Sequence, residues 1–321
     1  MKKIGFLISE KENEKRKAIV FDDLKKIENR KSIYLQKGYF DDFGYSDQDI
    51  INIGANVCEK DEIIKNCDVI IDPKIGDSED LKKIKNKIIF GWIHATQNFD
   101  ITQKLIDNKI TAYAWEKMFE DNRHTFYINN QIAGQAAIIH SSICIGDSYE
   151  NKKVAVLGNG NTAFGAITTL TKLGANIDVY NRRMENCFRK NMYNYDIIVN
   201  CILWDVNRKD HIIYKNDLEK MKNGTVIIDV SCDHNGGIES SVPTTIDNPI
   251  YVQNGIIHYV VDHTPSLLYK DASKSISNAI LNHLDFFISN EKDEVVEKAK
   301  IIEEGKIIDK EIIFYQNREL N

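Results

Sequence analysis

Residues 154–183, VAVLGNGNTAFGAITTLTKLGANIDVYNRR, carry the most chemically specific pattern in the chain. An apolar strand runs into Gly158-Asn159-Gly160-Asn161-Thr162-Ala163, and a helix pattern then ends at Gly174 before a second strand. A Gly-x-Gly-x-x-Gly/Ala turn between strand and helix is a dinucleotide fingerprint. Its first glycine permits the tight turn, its second lets backbone approach a pyrophosphate, and Ala163 is small enough for the helix to pack on the sheet. The N–H groups exposed from Gly158 to Thr162 then receive the anion. The next strand ends Tyr180-Asn181-Arg182-Arg183, where an NAD-selective protein presents a carboxylate to the ribose 2′-hydroxyl. Two guanidiniums there match a 2′-phosphate instead, so NADP(H) is the expected cofactor. A solvated basic loop is the plainer alternative.

Four more ionisable residues fall where strands are expected to end, the position at which open α/β sheets bind ligands. They are Arg16 in NEKRKAIVF, Lys74 in VIIDPKIG, His94 in IIFGWIHAT and Asp233 in VIIDVSCDHNGG. Each also has an ordinary explanation: a basic run, a turn after Pro73, a strand end and a turn.

Their order and contexts resemble the alanine dehydrogenase and pyridine nucleotide transhydrogenase family. The strongest likeness lies in GTVIIDVSCDHNGGIESSVPTTIDNPIYVQNG (224–255) and YVVDHTPSLLYKDAS (259–273), supported by IIFGWIHA, IAG and YDIIVNC (195–201). Only about a dozen residues separate Arg183 from the strand beginning at Asp196, where alanine dehydrogenases have an additional strand and helix. That short connection, and the arginine pair, are similar to the carboxyethyl amino acid synthases within the family. The resemblance implies that Arg16 holds the carboxylate of a 2-oxo acid, that Lys74 contacts its carbonyl region, and that His94 and Asp233 form an acid–base pair. It also places Asn200, Cys201 and Val230 beside the cofactor. The implied reaction is an NADPH-dependent reductive condensation of pyruvate with the side-chain amine of ornithine or lysine, giving an N-(1-carboxyethyl) amino acid. Such chemistry suits the residue types: a cation near the carbonyl stabilises a developing alkoxide, and histidine titrates near neutrality.

These residues need elements to hold them. Short runs rich in β-branched residues alternate with amphipathic stretches, which predicts βαβ units and mainly parallel sheets. Strands are expected near 3–9, 31–37, 68–73, 88–94 and 109–115, and again near 154–158, 176–181, 196–202, 224–230 and 257–262. A dense apolar stretch at 132–146 reads as a buried connecting helix. A long helix is expected over 271–289, with Asp271 as N-cap and Ile276, Ile280, Leu284 and Phe287 on one face. The predicted fold is therefore α/β, with two Rossmann-like domains flanking a cleft. The cofactor domain, 130–270, is inserted into a catalytic domain built from 1–129 and 271–321. The charged segment 291–321 shows no clear period.

Composition excludes several classes. With 42 basic and 48 acidic side chains among 321 residues the formal charge is −6, which disfavours nucleic-acid and anionic-membrane binding. No apolar run approaches the roughly 20 residues of a membrane span. Six scattered cysteines without Cys-x-x-Cys spacing predict reduced thiols in a cytoplasmic protein. A homo-oligomer is expected from the resemblance. Three rivals are weighed: alanine dehydrogenase-type amination with ammonia, a nucleotide sensor without turnover, and a metal hydrolase using Asp229, Asp233, His234 and Glu239. The last lacks zinc-type spacing, and no metal is expected.

Overall fold

The computed structural model describes residues 1–205, 208–233 and 235–319. The chain divides into two compact units, Met1–Phe126 with Tyr269–Asn321, and Tyr127–Leu268. In the first, strands β1 (Ile4–Phe6), β2 (Ile33–Gln36), β3 (Asn56–Cys58), β4 (Val69–Ile71), β5 (Ile88–Gly91) and β6 (Thr111–Ala114) are followed by a small hairpin, β7 (Phe119–Glu120) and β8 (Arg123–His124). The second contains β9 (Lys153–Leu157), β10 (Asn176–Tyr180), β11 (Ile197–Asn200), β12 (Val226–Asp229), β13 (Ile250–Gln253) and β14 (Ile256–Tyr259). Two further strands, β15 (Lys300–Glu303) and β16 (Lys306–Ile307), return to the first unit.

The first sheet has the order β16-β15-β6-β5-β4-β1-β2-β3, parallel from β6 to β3, with β15 added antiparallel beside β6. The charged tail of the chain therefore supplies its edge. The second sheet runs β10-β9-β11-β12-β14-β13 and is parallel except for β13. Central strands such as Val69–Ile71 and Ile197–Asn200 are buried along their whole length, as continuous β-branched runs require when both faces of a parallel sheet are covered. In both sheets the strand order reverses once beside the first strand, between β1 and β4 and between β9 and β11. Ligands of open α/β sheets bind at the carboxyl ends flanking such a switch point.

Helices depart from the predicted bounds. The connecting helix α1 spans Tyr127–Ile145, beginning five residues before the expected start. Against it packs α2 (Asn161–Lys172), and two glycines allow the approach: a Cβ on Gly134 would lie 2.0 Å from the Thr162 carbonyl oxygen, and one on Gly165 would lie 1.8 Å from that of Gln131. The helix expected over 271–289 is two helices, α3 (Tyr269–Leu281) and α4 (Leu284–Ser289), with His283 as the cap between them. Asp271 lies inside the first turn of α3 and is not its N-cap, because the helix follows directly on the 3-10 turn Thr264–Leu268. Ile276, Ile280, Leu284 and Phe287 all enter the first unit's core. Among the described residues no helix is long and apolar enough to cross a membrane.

Candidate active site

In the first unit, the segment after β1 carries Arg16 without the support of sheet hydrogen bonds. It is tied down instead by side chains: Ser273 and Ser277 of α3 accept from the Lys17 and Val20 N–H groups at 2.8 and 3.1 Å, and the buried Tyr39 hydroxyl accepts from Ala18 N–H at 3.0 Å. Arg16 itself is buried. Its Nε and Nη2 donate to the two carboxylate oxygens of Glu14 at 2.7 and 2.5 Å, and its guanidinium lies 4.9 Å from the Trp92 ring centre. Burial alone pushes the Glu14 carboxyl up, but the charge and hydrogen bonds of Arg16, with Lys74 nearby, outweigh it and leave the group below its ordinary value.

Lys74 and His94 are brought together by backbone. The Gly76 N–H donates to the Trp92 carbonyl at 3.1 Å, and the Trp92 N–H donates to the Pro73 carbonyl at 3.3 Å. That contact requires glycine on both sides, since a Cβ on Gly76 would stand 2.2 Å from the Ile93 oxygen and one on Gly91 would stand 2.1 Å from the Asp72 oxygen. His94 has φ of 54°, in the left-handed region. Glu116 holds that turn, accepting from the Ile93 and His94 N–H groups at 3.2 and 2.6 Å. Burial lowers the His94 pKa, with Lys74 adding to the effect and Glu116 opposing it, so the imidazole is neutral near pH 7 and able to accept a proton. Lys74 is likewise lowered by burial, against the pull of Asp77, whose carboxylate lies 3.4 Å away. Between them Asp72 accepts from the Lys74 N–H at 2.9 Å, and burial drives its carboxyl up to about 7.

In the second unit the glycine turn has the geometry a dinucleotide needs. Gly158 has φ of 107°, and a Cβ there would lie 2.9 Å from the Cys201 oxygen, so the turn is closed to other residues. A Cβ on Gly160, by contrast, would meet nothing within 4 Å. Asn161 opens α2 with Gly160 as a cap that lends no side chain, so the N–H groups of Asn161 and Thr162 point out of the helix start beside Asn159. Ala163 is fully buried against the sheet. A small, partly open pocket adjoins the end of β10, lined by Tyr180, Asn181, Arg182, Trp204 and Arg208 among others. The Trp204 indole Nε1 is buried there without a hydrogen-bond partner among the described residues. Asn181 accepts from the Arg183 N–H at 2.9 Å, and Arg182 reaches out from the surface, its side chain 82% exposed and 3.8 Å from Asp205. These features fit a bound dinucleotide.

Beyond the switch point, buried Asn200 donates to Asp229 at 2.9 Å, and the Val230 N–H donates to the Asn200 carbonyl at 2.9 Å. Asp229 also accepts from Ser241 and from the Ser231 and Cys232 N–H groups, yet burial still raises its carboxyl. Asp233 is raised to about 6 by burial and by the charge of Asp229, with a backbone hydrogen bond from Trp204 opposing both. Burial pushes the Cys201 thiol up as well, which makes it an inert packing residue. Among the described residues no cluster of three His, Cys, Asp or Glu side chains could hold a metal, and His234 lies outside them.

The alanine dehydrogenase/PNT N-terminal domain model matches residues 7–134, and the C-terminal domain model of the same family matches residues 183–316. An N(5)-(carboxyethyl)ornithine synthase of Lactococcus lactis subsp. lactis is 30% identical over 299 residues, which is 88% of this chain and 94% of that protein. The chain belongs to the alanine dehydrogenase/PNT family. A second N(5)-(carboxyethyl)ornithine synthase, from Clostridium botulinum, is 29% identical over 88% of the chain and 93% of its own length. The fold is that of a solved L-alanine dehydrogenase, with a TM-score of 0.82 at 18% identity, covering 98% of this chain and 99% of the other. As a member of the alanine dehydrogenase/PNT family the chain is an oxidoreductase, with two Rossmann-like units.

Within this family member the structure gathers Arg16, Lys74 and His94 in the first unit, and Gly158, Asn200, Cys201, Val230 and Asp233 in the second. Sequence reasoning missed Glu14, Lys17, Asp72, Asp77 and Glu116. Asp72 and Asp77 flank Lys74 within five residues, and Glu14 lies two before Arg16, so proximity to the singled-out cations was the available signal.

Proposed function

We propose that the chain joins pyruvate to the side-chain amine of L-ornithine or L-lysine and reduces the product with NADPH to an N-(1-carboxyethyl) amino acid. The observation that carries this reading is the match to two carboxyethylornithine synthases over nearly nine-tenths of the chain. The arginine pair after β10 supports the choice of NADPH, because the run that closes that strand, Tyr180-Asn181-Arg182-Arg183, holds two guanidiniums and no carboxylate.

The roles follow from the site. Glu14 fixes the plane of the Arg16 guanidinium, which takes the oxo-acid carboxylate. Lys74, held beside the carbonyl oxygen, offsets the charge that grows there when the amine attacks. Neutral His94 takes a proton from the attacking amine and gives it to the alkoxide, which forms the carbinolamine; a second proton passed from the same nitrogen to the hydroxyl lets water leave and yields the imine. Asp233 orders the acid–base step, and its carboxyl near 6 allows it to share the proton. The Gly158–Thr162 turn receives the pyrophosphate, and Arg182 with Arg183 receives the 2′-phosphate. NADPH supplies the hydride that reduces the imine carbon.

NADPH oxidation with pyruvate and ornithine, lysine or ammonia in turn, with product masses, tests the reaction. Turnover with ammonia alone would assign the alanine dehydrogenase reaction instead. Arg182→Asp should raise the Michaelis constant for NADPH about tenfold or more, the loss expected for one charge-assisted phosphate contact, and leave that for NADH little changed. Equal use of both cofactors by the unaltered protein would overturn the NADP assignment.

A further inference from the structure

Lys17 is only 2% exposed, yet among the described residues its ammonium makes neither an ion pair nor a hydrogen bond. It stands 5.3 Å from the centre of the Tyr39 ring, and its backbone N–H is held by Ser273. Burial lowers its pKa, and Asp42, Asp72, Glu14 and Asp41 oppose that only through space, beyond ion-pair distance. The other buried cations of this unit are engaged, Arg16 with Glu14 and Lys74 with Asp77. A buried ammonium without a close anion is an incomplete ion pair, and its desolvation is offset only when an anion arrives.

The reaction proposed above brings two carboxylates together, one on the oxo acid and one on the amino acid. Arg16 serves the first. We propose that Lys17 is the cationic ligand for the α-carboxylate of the amino-acid substrate, and that Asp41 and Asp42 meet its α-ammonium. Both aspartates are exposed, on the 3-10 turn Asp41–Phe43 that follows Tyr39, so the three side chains offer opposite charges to a zwitterion. Ammonia would use none of them. This inference rests on the proposed reaction, and the test separates the two.

Full-length protein with Lys17→Met or Lys17→Arg is assayed with pyruvate saturating and L-ornithine varied, then the reverse. Losing one hydrogen bond to a charged group should raise the ornithine Michaelis constant about ten- to a hundredfold in Lys17→Met, with the pyruvate constant within about twofold. Lys17→Arg should recover part of the loss. Because the methionine removes a buried charge, its melting temperature should not fall. The diamine 1,4-diaminobutane, which lacks the carboxylate, should be a poor substrate that Lys17→Met leaves unchanged. An unaltered ornithine constant, a parallel rise for pyruvate, or an equal loss for the diamine would overturn the assignment. If the unaltered protein turns over no amine, the proposed reaction fails, and calorimetric titration of L-ornithine then decides Lys17 alone. Binding heat that is lost in Lys17→Met supports the role; no binding, or equal binding by both proteins, refutes it.

Discussion

The charged cluster of the first unit and the nucleotide turn of the second are built of opposite materials. In the first, Glu14, Arg16, Asp72, Lys74 and His94 act through charged or titratable side chains, packed at the carboxyl ends of β1, β4 and β5 and largely withdrawn from water. In the second, the turn from Gly158 to Thr162 offers backbone N–H groups, and its arginines extend into solvent. Backbone donors keep the same charge at every pH. Buried side chains depend on one another for theirs, so a change to one is transmitted to the rest.

The sharpest way to break this comparison is His94→Asn, since asparagine tolerates the left-handed backbone found there. Turnover should fall by roughly 10²–10⁴, the range for removing a general acid–base group. NADPH affinity, set in the other unit, should hold constant when followed by nucleotide fluorescence. A matched loss of NADPH binding would deny the separation of roles.

Next in size is Arg16→Met. It strands the Glu14 carboxylate in a buried site, which costs about 3–5 kcal/mol when a buried pair is broken. Without Arg16, burial raises the folded-state Glu14 pKa above its unfolded value, so the loss should be small near pH 4 and grow as pH rises. Adding Glu14→Gln should restore stability to urea. If Arg16 also binds the oxo acid, the restored double variant keeps a raised Michaelis constant for pyruvate. Recovery of that constant would reduce Arg16 to a structural partner.

The same contrast explains what could be read in advance. The nucleotide turn occupies six contiguous residues whose spacing is its geometry, and the βαβ alternation exposes the α/β class. The carboxylates around Arg16 and Lys74 carry no such spacing, because a charge becomes buried only through what packs over it from β1, β4 and α3. The break between α3 and α4 was hidden for a related reason: Ile276, Ile280, Leu284 and Phe287 keep one apolar face across it, so the period continues while the backbone does not. Short edge elements also escaped notice. Asn56–Cys58 is a three-residue strand, and Lys300–Glu303 sits in a charged tail and buries only its two central residues, Ile301 and Ile302.

Asp72 offers the smallest test and the most direct view of the first unit's dependence on buried charge. It lies at the end of β4, as Asp229 does at the end of β12, but the two are treated differently. Asp229 receives donors from Asn200, Ser231, Cys232 and Ser241, whereas Asp72 has the Lys74 N–H and the Ser9 hydroxyl to favour its charge and faces the like charges of Glu14 and Asp77. With a folded-state value of about 7 against ~3.9 unfolded, Asp72 retains its proton between those limits while the unfolded chain has lost it. The contribution of Asp72 to stability therefore falls as pH rises from about 4 to about 7, and its cost is complete above that window. Asp72→Asn preserves an oxygen for the Lys74 N–H but gives up the attraction to Lys17, so the net gain should be about 1 kcal/mol at pH 8 and vanish near pH 4. Melting temperatures of both proteins across that range measure it directly. A variant that is less stable at pH 8 would mean that the nearby lysines hold Asp72 ionised, and that the first unit's charges are balanced in the folded state.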